Sequence, residues 1–157
     1  MLITEEDIVT LPEGDPGKAL EKLKAMIGLG ALKQSIVQHL SYVYFIRERQ
    51  KHGFDDTLPP LNMIFSGNPG TGKMTVAKMM GEIYHSVGIL LRPNVTVQDG
   101  RQLTGDGGLT PQQGAEVLMN GAAGGILYID HADVLPRSEW GLALFEALLS
   151  NLSTEEC

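Results

Sequence analysis

Apolar positions along the chain fall into two rhythms. From Leu32 to Lys51, Leu32, Ile36, Leu40 and Val43 recur at helical spacing, with Val37 and Tyr44 flanking them, which predicts one long helix. It ends in the basic run RERQK, which suits the negative end of a helix dipole and reads as a solvated helix end, and Gly53 follows as a stop. A second helical pattern runs through Val76, Met80, Ile83 and Val87 and closes at Gly88, with Met79 and Met80 as core filler. A third opens at TPQQ: Thr110 caps, Pro111 takes the first position, and Gln113 completes a capping box. That helix is expected to reach about Asn120. Ser138 opens a last helix, with Leu142, Phe145, Leu149 and Leu152 predicted on one face.

The other rhythm is short and bounded by turn residues. LNMIFSG (61–67) reads as a buried strand after the turn-rich DDTLPP (55–60). NVTVQD (94–99) reads as a β-branched strand, and GILYID (125–130) as a buried strand ending in an acid. Strands alternating with helices predict an α/β fold with a parallel sheet. Upstream, Ala19, Leu20, Leu23, Met26 and Ile27 recur at helical spacing until Gly28 and Gly30 interrupt, and Asp15-Pro16 forms a candidate cap for that helix. Residues 1–17 are acidic and carry Pro12, Gly14, Pro16 and Gly17, so they are expected to be a flexible segment, leaving 18–157 as the domain.

Composition narrows the classes. The 157 residues carry a formal charge of −7, which disfavours nucleic acid as the main partner. No apolar run approaches the roughly 18–20 residues of a membrane span, and MLITEEDIVT lacks the features of a signal peptide. The one cysteine, Cys157, cannot pair within the chain, and a reducing, cytoplasmic setting fits.

The chemistry concentrates at GNPGTGKM (67–74). Gly67, Gly72 and Lys73 meet the pattern G-x-x-x-x-G-K, with Asn68, Pro69, Gly70 and Thr71 inside the loop and a predicted strand and helix on either side. Glycines let successive N–H groups point at phosphate oxygens, the helix N-terminus adds its positive end, and Lys73 supplies a point charge. The next residue should carry a hydroxyl for Mg²⁺, and it is Met74. A thioether is too soft to replace it. Thr75 lies about 100° further round a helix and does not simply step in. Asp130, at the end of its strand, is the candidate holder of the Mg²⁺ shell. His131 follows it, where ATPases with a strand ending in Asp-Glu carry the carboxylate that polarises water. His39, His52 and His85 lack metal-ligand spacing and read as surface or satisfied helical residues.

In order and spacing, GNPGTGK, TVA, HSVG, NVTV and GGILYID resemble the CbbX and stage V sporulation protein K branch of the AAA+ ATPases. MIGLGALKQSI (26–36) is similar to that family's leading helix, which implies that Ile27, Gly28 and Leu29 lie near the adenine. The resemblance runs from about Leu20 to Leu152. It implies a P-loop NTPase three-layer fold, ATP or ADP and Mg²⁺ as ligands, and a ring of self or paralogous subunits that remodels a protein client. CbbX-type proteins act on inhibited Rubisco, a client that is not carried over to this chain.

Three departures from the family's pattern stand out. Met74 replaces the metal-binding hydroxyl, and His131 replaces the catalytic Glu. LTGDGGLT (103–110) lies where the family has a pore loop with an aromatic residue and contains none. The family's sensor strand, arginine finger and helical lid come later than anything here, so the chain is expected to be an incomplete AAA+ module with a gap in its sheet. The reading is a nucleotide-binding subunit or scaffold with weak or lost hydrolysis. The alternative is an active ATPase in which water and Thr75 rescue the metal. A small-molecule kinase would share the loop, but NPGTGK and the motif order argue against it.

Overall fold

The computed structural model describes residues 25, 30–59, 61–65, 70 and 72–154. The segment 1–17, the helix expected over 19–27 apart from residue 25, Ile27, Gly28 and Leu29, and Gly67, Asn68, Pro69 and Thr71 lie outside the described residues. The chain divides into two compact units, residues 1–93 and 94–157.

In the first unit, helix α1 spans Gly30–Lys51. It starts two residues before the expected Leu32, and Gly30, read as an interruption, is its first residue. Of the predicted face, Ile36, Leu40 and Val43 are buried, joined by Ile46, and the Leu32 side chain lies outside what is described. Gly53 ends the helix at φ +84, with its N–H on the Gln50 carbonyl and that of Phe54 on the Arg49 carbonyl. These paired bonds satisfy two of the helix's orphan carbonyls.

The basic run at this helix end is not merely solvated. Arg49 pairs with Asp56 at 2.5 Å and lies over the Phe45 and Phe54 rings, at 5.6 and 4.2 Å from their centroids. Arg47 donates to the Gly88 carbonyl, and Gln50 to that of Asp56 at 2.6 Å. The guanidinium's fixed fork and flat face serve both kinds of contact at once.

Helix α2 spans Lys73–Ser86 and buries Val76, Ala77, Met79, Met80, Ile83 and Tyr84, so both methionines are core. Val87, predicted inside the helix, is its C-cap, and Gly88 follows at φ +75. The His39 ring and the Tyr84 hydroxyl, 2.6 Å apart, join α1 to α2.

The stretch 61–67, expected to be a buried strand, departs from that reading. Its described part, 61–65, forms no ladder, and Ile64 is 91% exposed. Leu61, Met63 and Phe65 are half-buried, so the alternation is real. A strand also needs a neighbour for its backbone groups, and the sheet of the described residues has two strands, both in the second unit.

That sheet is parallel. Strand β1, Val95–Asp99, runs beside β2, Ile126–Asp130, in the register Val95 to Ile126 through Asp99 to Asp130. Parallel neighbours need a crossover, and helix α3, Pro111–Ala122, supplies it. The capping box is present: the Thr110 hydroxyl accepts the Gln113 N–H at 3.2 Å, and the Gln113 side chain accepts the Thr110 N–H at 3.0 Å. All five residues of β2 are half-buried rather than buried.

Short 3-10 turns follow each strand, at Gly100–Gln102 and Ala132–Arg137. Helix α4, Glu139–Thr154, opens at Ser138, whose hydroxyl accepts the Gly141 N–H at 3.0 Å. Its buried face is not the predicted one. Leu144, Ala147 and Leu148 are buried with Ala115, Leu118 and Leu135, whereas Leu142 and Leu149 are exposed. The helix is apolar on more than one side, so two sets of residues share the helical period and the sequence does not rank them.

Candidate functional site

The described part of the phosphate loop lies in the first unit. Gly70 and Gly72 both adopt positive φ, +76 and +87, which an L side chain resists. Gly72 is the N-cap of α2 with no side-chain cap, and its carbonyl accepts the Val76 N–H at 3.0 Å. The helix therefore begins at a residue that has no side chain to cap its leading N–H groups, as phosphate-receiving helix starts do. Lys73 is the first residue of the helix and is half-buried. Met74 is half-buried beside it, and Thr75 is exposed, so the two point in different directions as the helical period requires.

In the second unit, Asp130 ends β2 as expected. One of its oxygens accepts the His131 N–H at 3.0 Å. His131 sits at φ 50 and ψ 39, the one non-glycine residue at positive φ among the described residues. This left-handed step turns the chain from β2 into its 3-10 turn. It leaves the imidazole Nδ1 3.4 Å from an Asp130 oxygen and 3.6 Å from an Asp99 oxygen. That nitrogen is buried and makes no hydrogen bond.

The sequence reading missed Asp99, Gly100 and Arg101. Asp99 is the register partner of Asp130, so both strands end in a carboxylate at one level. Arg101 clamps Asp99 with bonds of 3.0 and 2.6 Å to its two oxygens. The side-chain bonds from Arg101, its backbone N–H and its charge hold the Asp99 carboxyl down at about 2. Gly100 lets the turn after β1 approach: a Cβ there would stand 2.6 Å from the His131 carbonyl oxygen. The signal was available, since VTVQD and ILYID are both short β-branched or apolar runs closed by an acid.

The residue after Lys73 offers sulfur, and no group of three or more His, Cys, Asp or Glu among the described residues could hold a metal ion. Asp130 supplies one hard oxygen donor, which fits an ion that keeps several of its waters. No helix among the described residues is long and apolar enough to cross a membrane.

Known proteins match most of the chain. The chain is 36% identical over 153 residues to protein CbbX of Cereibacter sphaeroides, covering 93% of this chain and 49% of that protein. It is 35% identical over 137 residues to protein CfxQ of Xanthobacter flavus, covering 84% of this chain and 43% of that one. Stage V sporulation protein K of Bacillus subtilis is 28% identical over 144 residues, covering 88% and 44%. The chain matches the CbbX and stage V sporulation protein K branch of the AAA+ ATPases. No protein-family model matches it. The chain spans less than half the length of these AAA+ relatives. The fold is mixed α/β, with a short parallel sheet and several helices, and these relatives are AAA+ P-loop ATPases.

Proposed function

We propose that this AAA+ chain binds ATP or ADP through Gly70, Gly72, Lys73, Met74 and Thr75 together with Asn68, Pro69 and Thr71, with Ile27, Gly28 and Leu29 against the base. The observation that carries this reading is the uncapped start of α2, entered through two glycines at positive φ and followed at once by a lysine. Backbone N–H groups and a cation hold phosphate without a metal.

Asp130 holds the magnesium shell through water, and the ion's grip is weakened because Met74 contributes no oxygen. Hydrolysis is weak or lost, since His131 offers no carboxylate to a water and its Nδ1 faces Asp130 and Asp99. The chain then acts as a subunit or scaffold of a protein-remodelling ring, beside copies of itself or an active paralogue, in the cytoplasm. The second reading is an active CbbX-like ATPase, favoured by Thr75, which stands exposed one residue from Met74.

ATP affinity measured with and without Mg²⁺, alongside phosphate release, separates the two. Binding that ignores Mg²⁺, without turnover, supports the first. Turnover within tenfold of the typical ~10 s⁻¹ of enzymes sinks it. Absence of ATP binding in either condition sinks both.

A further inference from the structure

Side-chain bonds tie α1 to α2 at the end of α2 that lies away from the phosphate loop. The His39 Nε2 is 2.6 Å from the Tyr84 hydroxyl, and the two rings meet edge to face at 68°. About two turns further along α1, Arg47 donates to the Gly88 carbonyl, just past the C-cap of α2. A cation there also suits the negative end of the α2 dipole. Tyr84 stands about 18 Å along the helix from Gly72, at 1.5 Å per residue.

The starts of the same two helices carry the two ends of the nucleotide. Helix α1 begins at Gly30, directly after Leu29, which the proposed function sets against the base, and α2 begins at the phosphates. A ligand that reaches both is held well only where the helices are already in one relative placement. A hydrogen bond is directional, so it fixes such a placement more closely than apolar contact does.

The bond depends on the charge of one ring. His39 is half-buried and Tyr84 is 4% exposed. Burial lowers the His39 pKa and pushes that of Tyr84 well up, so both are neutral near pH 7. Charged neighbours do not offset a proton on His39. Lys78 and Glu82 of α2 are exposed, and Lys73 stands at its start. On α1, Arg47 is taken by Gly88, Arg49 pairs with Asp56, and Lys51 pairs with Glu48. His85, next to Tyr84, keeps its Nδ1 3.1 Å from the Leu90 carbonyl. A protonated His39 is therefore better solvated away from Tyr84, and α1 then loses a hold on α2.

We propose that His39 and Tyr84 are positioning residues for the nucleotide: their bond keeps α1 and α2 in the placement that lets one ATP or ADP reach both the base residues and the phosphate loop, and acid releases it. This rests on the nucleotide binding proposed above.

Calorimetry of ATP binding to the full chain without Mg²⁺, from about pH 7.5 to about pH 5.5, brackets the ordinary titration of a histidine. His39→Gln keeps a hydrogen-bonding side chain that does not titrate, and His52→Gln, exposed just past the end of α1, is the control. ATP's own phosphates titrate equally in every case, so the ratio of parent to variant affinity isolates the ring. Against His39→Gln that ratio should fall about threefold or more over the range, one proton allowing at most ~tenfold per pH unit. Against His52→Gln it should stay level. At the upper pH, Tyr84→Phe should bind ATP about two- to fivefold more weakly, up to the worth of one hydrogen bond. Circular dichroism at each pH restricts the comparison to folded chains, in which a merely structural role leaves affinity unchanged. If Tyr84→Phe does not fold, the His39→Gln profile decides alone. Parallel pH profiles of the parent and His39→Gln, or unchanged affinity in folded Tyr84→Phe, overturn the proposal and leave nucleotide binding standing. A parent that binds no ATP at the upper pH overturns both.

Discussion

Replacing Gly100 by alanine tests how tightly the two strand ends are locked. Gly100 is buried at the start of the turn after β1, and its φ is not in the left-handed region. The cost of a methyl group there is steric. The new Cβ would lie 2.6 Å from the His131 carbonyl oxygen and 3.1 Å from that of Asp130, where ordinary contact begins at 3.4 Å. Both neighbours are backbone, so neither can swing aside, and one turn must retreat by about 0.8 Å. Overpacking of this kind costs ~1–3 kcal/mol, and two backbone contacts place Gly100→Ala toward the top of that range. Alanine stiffens the unfolded chain and returns ~0.4–1 kcal/mol, leaving a net loss of about 2 kcal/mol. Gly107→Ala is the control, since nothing lies within 4 Å of its added Cβ and its φ is not positive. Urea titration followed by circular dichroism compares the two variants with the parent. At ~4–8 °C per kcal/mol for a small unit, Gly100→Ala should also melt roughly 10 °C lower. If both variants fall within ~0.5 kcal/mol of each other, the close approach of the two turns is not what the structure shows, and the placement of Asp130 beside Asp99 loses its support.

Other expectations follow from single contacts. Thr110→Ala removes the hydroxyl that caps α3 and half of a capping box, and should cost about 1 kcal/mol by the same titration, while Thr110→Ser should cost little. Burial lowers the His39 pKa below its ordinary 6.5, so the fold favours the neutral ring. Below pH 6.5 the unfolded chain takes up the proton more readily. Stability is therefore complete above that pH and falls as the pH drops toward the folded value, a slope that His39→Gln should flatten. Met74→Thr restores an oxygen donor after Lys73 and should make ATP binding tighten on adding Mg²⁺, read by calorimetry. Equal affinity with and without the ion in that variant would count against the proposal that Met74 weakens the metal site.

The readings that came through intact from the sequence are those whose determinants sit within a few residues of each other. The Thr110–Gln113 capping box, the stops at Gly53 and Gly88, and the β-branched run of β1 are local chemistry, and each stands where the sequence placed it. Motif order made the family legible for the same reason, because the loop, the strand ends and their spacing are written in the chain. The readings that failed needed a partner. The run 61–65 has the alternation of a strand but no neighbouring strand among the described residues, and the buried face of α4 was chosen by α3 and the 3-10 turn rather than by its own period.

The sequence by itself determined the helices from Gly30 onward, strands β1 and β2, the glycine-rich run that ends in Lys73 and Met74, and the acid at the end of β2. Tertiary structure alone decided what surrounds that acid. Register sets Asp99 level with Asp130, a left-handed step at His131 turns an imidazole between two carboxylates, and Gly100 lets the turns meet. It also moved the one tryptophan under a loop that has no aromatic of its own. Such placements depend on distances between residues far apart in the chain, and a periodicity along one segment carries no information about them.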